Sequence, residues 1–222
     1  MKIGKTAAAI ALVILIHPGV AGAQASNPRA SAAHKDPAAM LKQDMRKLWT
    51  DHVVWTRDYI IAATEKQPGA PAALNRLMKN QEDIGNAVAK LYGDAAGRQL
   101  TTLLKDHIAI AGEIVKAAMA ADKTGQKAAD DRWRQNAAQI ADFLGKANPN
   151  WPRATLLEMM NEHLSTTSTE LVARLNKDWE GDVKAFDAVY DHILHMADAL
   201  SDGIVKQFPD KFGAGAVSTA GR

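Results

Sequence analysis

The chain has 222 residues, with 27 Lys or Arg against 25 Asp or Glu, and this near-neutral balance gives no basic stripe of the kind a nucleic-acid binder needs. There is no cysteine, which excludes disulfides, thiolate nucleophiles, thiolate metal ligands and a lipid anchor on a cleavage-site cysteine. Only 3 tyrosines and 4 phenylalanines accompany abundant alanine, a composition that favours close-packed helices over a sheet.

Lys2 and Lys5 precede an apolar run from Ala7 to Ile16, and Ala21-Gly22-Ala23 supplies a small-x-small cleavage pattern. Together they predict a signal peptide over 1–23 and export to the periplasm or the extracellular space. The apolar run is much shorter than the roughly 20 residues of a spanning helix. No later segment is continuously apolar over that length, so no membrane span is expected after cleavage. Residues 24–36 are small and polar and read as a disordered linker, and 212–222 read as a disordered tail.

Between them, a single domain over 37–211 shows six segments of helical period, at 37–66, 71–92, 95–121, 125–147, 152–176 and 179–207. The breaks carry Pro68-Gly69, Gly93, Gly125, the Asn148-Pro149-Asn150-Trp151-Pro152 run and Asn176-Lys177-Asp178. Asp94, Thr124 and Asp178 are the expected N-caps, and Gly93 suits a left-handed position. Loops this short predict antiparallel neighbours.

The segments pair into a repeat. LWTDHVVWTRDYI, LLKDHIAIAGEIV and MMNEHLSTTSTEL align without gaps on His52, His107 and His163, each following an acid: Asp51, Asp106 and Glu162. The even-numbered segments align more loosely on Ile84, Ile140 and Ile193, with Leu77, Trp133 and Phe186 before them and Val88, Leu144 and Ala197 after. The expected fold is therefore all-α, a six-helix bundle made of three repeated antiparallel helical hairpins.

Around each histidine, apolar residues recur at −7, −4, −3 and +8, which at 100° per residue puts the imidazole in the middle of the inward stripe. Thr56, Thr167, Glu170, Asn80, Gln81, Asn136 and Tyr190 share the inward faces. A buried imidazole without a partner costs roughly 1–3 kcal/mol, so three of them need satisfying. In one reading they are core residues bonded to Asn80, Asn136 or Tyr190, in a non-catalytic structural or interaction protein. In the other, His52, His107 and His163 converge on a divalent metal ion (zinc, copper, iron or nickel), with Glu170 or an open position as fourth ligand. Asp187, Asp191, His195, Asp198 and Asp202 read as a solvated face of the last helix. His192 borders its apolar stripe and is the member expected to reach a neighbouring helix. Trp49, Trp55, Tyr59 and Trp133 read as core, and Trp151 as a plug at a helix start. No phosphate loop, nucleophile elbow or other catalytic motif is present, so no catalytic residues are assigned and enzymatic activity stays open.

LWTDHVVWTRDYI, NQEDIGNA, LLKDHI, ANPNWP, EHL and HMADALSDGIVKQFP together resemble a family of exported bacterial all-helical proteins with no established activity. The resemblance spans nearly all of residues 45–212. It implies export and a helical domain of these limits, and it brings no catalytic residues with it.

Overall fold

The structure, a computed structural model, describes residues 36–212, which fall in one compact unit. The expected signal peptide, residues 24–35 of the expected linker and residues 213–222 of the expected tail lie outside the described residues.

Among the described residues there are seven helices and no strand: α1 (Pro37–Thr64), α2 (Ala70–Tyr92), α3 (Asp94–Met119), α4 (Lys123–Ala147), α5 (Arg153–Leu175), α6 (Trp179–Gln207) and α7 (Pro209–Phe212). None of them is long and apolar enough to cross a membrane. Three helices start on an aspartate whose carboxylate accepts a first-turn N–H. Asp36 accepts from Ala38 at 3.0 Å, Asp122 from Gly125 at 2.9 Å and Asp178 from Gly181 at 2.9 Å. Asp122 thus caps α4 in place of the expected Thr124, which lies inside the first turn. Asp94 is the first residue of α3 rather than its cap. The junction is Gly93 alone, whose φ of +88° is open to glycine at little cost. The four-residue α7 was not expected. It begins at Pro209, where the missing N–H ends α6 and suits a helix start.

Each long helix packs on its neighbour in the chain, and α1 also packs on α6, around one continuous apolar core. The α2–α3 contact is close because Gly85 and Gly97 face each other: a Cβ on Gly97 would stand 2.6 Å from the Gly85 carbonyl oxygen. Trp151, in the turn between α4 and α5, is buried, and its indole N–H donates to the Leu200 carbonyl at 3.2 Å. That contact pins the turn to α6 and sets where α5 begins.

Candidate functional site: a buried histidine layer

Their place in the middle of the inward stripes buries His52, His107 and His163 to 2%, 2% and 4% exposure. The rings come together. His52 and His163 have centroids 5.6 Å apart, and His107 and His163 6.0 Å. A fourth ring, His192 from α6, stands 6.2 Å from His163 and nearly parallel to it. Trp49 lies edge-on to His52 at 5.6 Å, and Trp133 lies 5.1 Å from His107.

One polar contact occurs three times at this level. Asn80 donates its side-chain N–H to the Leu48 carbonyl at 3.0 Å, and Asn136 does the same to Leu103 at 3.0 Å. His192 Nε2 lies 2.9 Å from the Met159 carbonyl oxygen, which makes it the donor there. Each accepting carbonyl belongs to the residue four before His52, His107 or His163. Asn136 also meets the ring beside it, with Oδ1 2.8 Å from His107 Nδ1.

The layer remains incompletely bonded. His52 Nδ1, His107 Nε2 and His163 Nδ1 are buried without a hydrogen-bond partner, as are Gln81 Oε1, Thr167 Oγ1 and the indole nitrogens of Trp49 and Trp133. A neutral imidazole has one donor and one acceptor nitrogen: donation from His107 Nδ1 to Asn136 reserves the Nε2 lone pair, while His52 and His163 each reserve an unpartnered Nδ1. Burial drives His52 from the ordinary 6.5 down to about 4, with the polar side chains of Gln81 and Asn80 pulling the other way. It drives His107 down to about 3, against the Asn136 bond. Burial also pushes His163 well below the ordinary value, and the neighbouring rings of His52, His107 and His192 push the same way. The three rings are therefore neutral at pH 7, the form that ligates metals.

With metal–nitrogen bonds of about 2.0–2.1 Å, rings sharing one tetrahedral ion stand with centroids roughly 5 Å apart. The two spacings from His163 exceed that by roughly 0.5–1 Å, and the His107 and His163 rings are inclined by only 24°. Among the described residues no group of three or more His, Asp or Glu side chains forms a ready-made metal cage, so ligation requires the rings to draw in. Two cavities of about 30 Å³ each lie among residues on either side of the layer, and no histidine ring lines them. One is lined by Thr56, Tyr59, Gly112, Trp133 and Thr167, the other by Met45, Trp49, Leu104, Met160 and Met196.

Glu170 is placed elsewhere. Two turns beyond His163, its Oε1 accepts from Arg57 at 2.7 Å, and Arg57 also holds Asp182 at 3.0 Å. Arg174 reaches the same Asp182 at 3.2 Å. Burial pushes the Glu170 carboxyl up to about 7 in spite of Arg57. Tyr190 also lies apart, half-buried against Phe186 at 6.1 Å. Thr56 spends its hydroxyl on the His52 carbonyl at 2.8 Å, and Gln81 donates to Leu77 at 2.8 Å. Asp187, Asp191, His195 and Asp202 are exposed, while Asp198 pairs with Arg46 and Lys42 of α1.

Sequence reasoning missed the Arg57–Asp182–Arg174 cluster and the equivalence of His192 with Asn80 and Asn136. The signal for the second was available: 80, 136 and 192 are evenly spaced at 56 residues. Aligning α6 on Ile193 hid it. No known protein family, curated protein or solved structure matches the chain.

Proposed function

We propose that this protein binds one metal cation through His52, His107 and His163, within an exported helical bundle built from three copies of one hairpin. The observation that carries the reading is the set of three buried ring nitrogens, one per histidine, that have no partner although His163 neighbours both of the other rings. Leaving each unused costs roughly 1–3 kcal/mol, and zinc, copper, iron and nickel all accept neutral imidazole. Glu170 is left out of the proposed ligand set because its Oε1 is held by Arg57, although its Oε2 has no partner. The exported location rests on the signal-like segment 1–23 and the family resemblance.

The triplication is supported by the recurring contact to Leu48, Leu103 and Met159. It sets a uniform register of 56 residues on the even helices: Leu77, Trp133 and Val189, then Ile84, Ile140 and Met196, then Val88, Leu144 and Leu200. All nine are buried. This register moves the third copy three residues along from an alignment on Ile193.

A second reading, a structural or interaction protein with core histidines, is favoured by one observation: His107 Nδ1 is already bonded to Asn136. Elemental analysis separates the two. After exposure to each metal in turn and desalting, the protein is expected to retain one equivalent of at least one of them. His107→Ala and the milder His163→Gln are both expected to lose it with helix content unchanged. Retention well below one equivalent for every metal would overturn the metal reading in favour of the structural one.

A further inference from the structure

Resting on that reading, we propose that the ion selected by the histidine layer is monovalent and soft, copper(I), in preference to any divalent ion. The argument is one of charge. The three donors are neutral imidazoles at 2–4% exposure. Their outer contacts are neutral as well: Asn136 Oδ1 on His107, and the indoles of Trp49 and Trp133 beside His52 and His107. Among the described residues no carboxylate is grouped with the rings to share the charge, and Glu170, whose Oε2 is unpartnered, lies two turns along α5 with its other oxygen on Arg57. Glu170 and Asp182 are held by Arg57 and Arg174, Asp51 by Lys47 and Arg76, and Asp106 is exposed. Glu162 is 62% exposed and faces His192 Nδ1 at 3.3 Å. His192 itself has both ring nitrogens facing acceptors, Met159 O and Glu162, so it turns no free donor toward the layer.

The cost of burying an ion rises with the square of its charge, so a dication costs about four times as much here as a monocation of similar size. Dications held by three histidines ordinarily shed that cost onto a bound hydroxide or onto carboxylates behind the rings. This layer has amide and indole neighbours instead. The thioethers of Met45, Met160 and Met196 line the cavity on one side of it, and thioether sulfur is a donor that copper(I) accepts and hard dications do not. A d¹⁰ monocation needs only two or three neutral donors, which the three reserved nitrogens supply. Binding involves no electron transfer: copper enters and leaves as copper(I).

The test is an anaerobic competition between the full protein and a colorimetric copper(I) chelator, beside calorimetric titration with zinc(II). Silver(I), a redox-inert monocation, is titrated in parallel while the ¹⁵N resonances of the imidazoles are followed. The expected result is one equivalent of copper(I) bound at least about a hundredfold more tightly than zinc(II). Silver(I) is expected to move the resonances of His52, His107 and His163 and leave those of His192 in place. Zinc(II) binding as tight as copper(I) would overturn the choice of ion and leave the metal centre standing. Copper(I) that perturbs only exposed residues would overturn the proposal, and failure of every ion to bind would remove the centre with it.

Discussion

In the cluster around Arg57 and Asp182 each guanidinium meets a carboxylate, whereas two turns away on α5 the three histidine rings each keep a nitrogen unused. Both groups are buried polar matter on α1, α5 and their neighbours, and they hold the bundle in different ways. The ionic cluster ties α1, α5 and α6 with charges that meet one another, leaving Glu170 Oε2 and Arg174 Nε unpartnered. The histidine layer ties α1, α3 and α5 with rings that are neutral and incompletely bonded. One region sets charge against charge within the fold. The other keeps three unpartnered ring nitrogens among neutral side chains.

The largest expected effect follows from breaking the charge-paired region. Asp182→Ala removes the buried carboxylate shared by Arg57 and Arg174, leaving them only Glu170 and the exposed Glu65, and is expected to cost about 3–5 kcal/mol of stability. Denaturant unfolding would read it. A loss below about 1 kcal/mol would mean that the cluster behaves as surface charge, where ion pairs are worth that little.

The two regions also respond to pH with opposite sign. As pH falls below 6.5, the unfolded chain protonates three histidines that the folded protein keeps neutral, to about 4 for His52 and about 3 for His107. His163 is shifted the same way. Their effect is absent at high pH and destabilises progressively as the solution acidifies. Glu170, raised from 4.5 to about 7, keeps its proton in the fold while the unfolded chain releases it, so its contribution is lost as pH rises between those values. Three groups oppose one. Near pH 5.5, with a chelator present, stability should therefore rise by about 2–3 kcal/mol per pH unit. A flat profile between pH 5 and 6.5 would show that the rings are not neutral and buried.

The stripe spacing made the histidine layer legible, because a side chain flanked by apolar residues at −7, −4, −3 and +8 can only face inward. It could not show that the rings would meet, since that depends on the packing of helices 55 residues apart. The ionic cluster left no local trace. Arg57 lies five residues from His52, at the edge of the stripe, and its partners are 113 and 125 residues away. The register of α6 was misleading for a physical reason: the helix is covered by both α1 and α5, so its apolar face is wide. Ile193 and Met196 are both buried, and either could anchor an alignment.

A smaller effect would sharpen the comparison within the layer. Asn136→Ala removes the amide that bonds both the His107 ring and the Leu103 carbonyl. A loss of about 1–3 kcal/mol is expected on denaturant unfolding. No measurable loss would show that the His107 ring is satisfied without it.

The smallest effect is expected where one copy of the hairpin departs from the other two. His192→Asn installs at the third position the residue found at Asn80 and Asn136, and the amide can still donate to the Met159 carbonyl. Stability should change by less than about 1 kcal/mol, the net worth of one exchanged hydrogen bond. His192→Leu, which has no donor, should cost about 1–3 kcal/mol. Equal losses for the two variants would argue against the 56-residue register, because the asparagine would then be no better placed than leucine to reach Met159. A tolerated asparagine beside a costly leucine would support it. Since His192 keeps its nitrogens for Met159 and Glu162, His192→Asn should also leave the stoichiometry of ion binding at the layer unchanged.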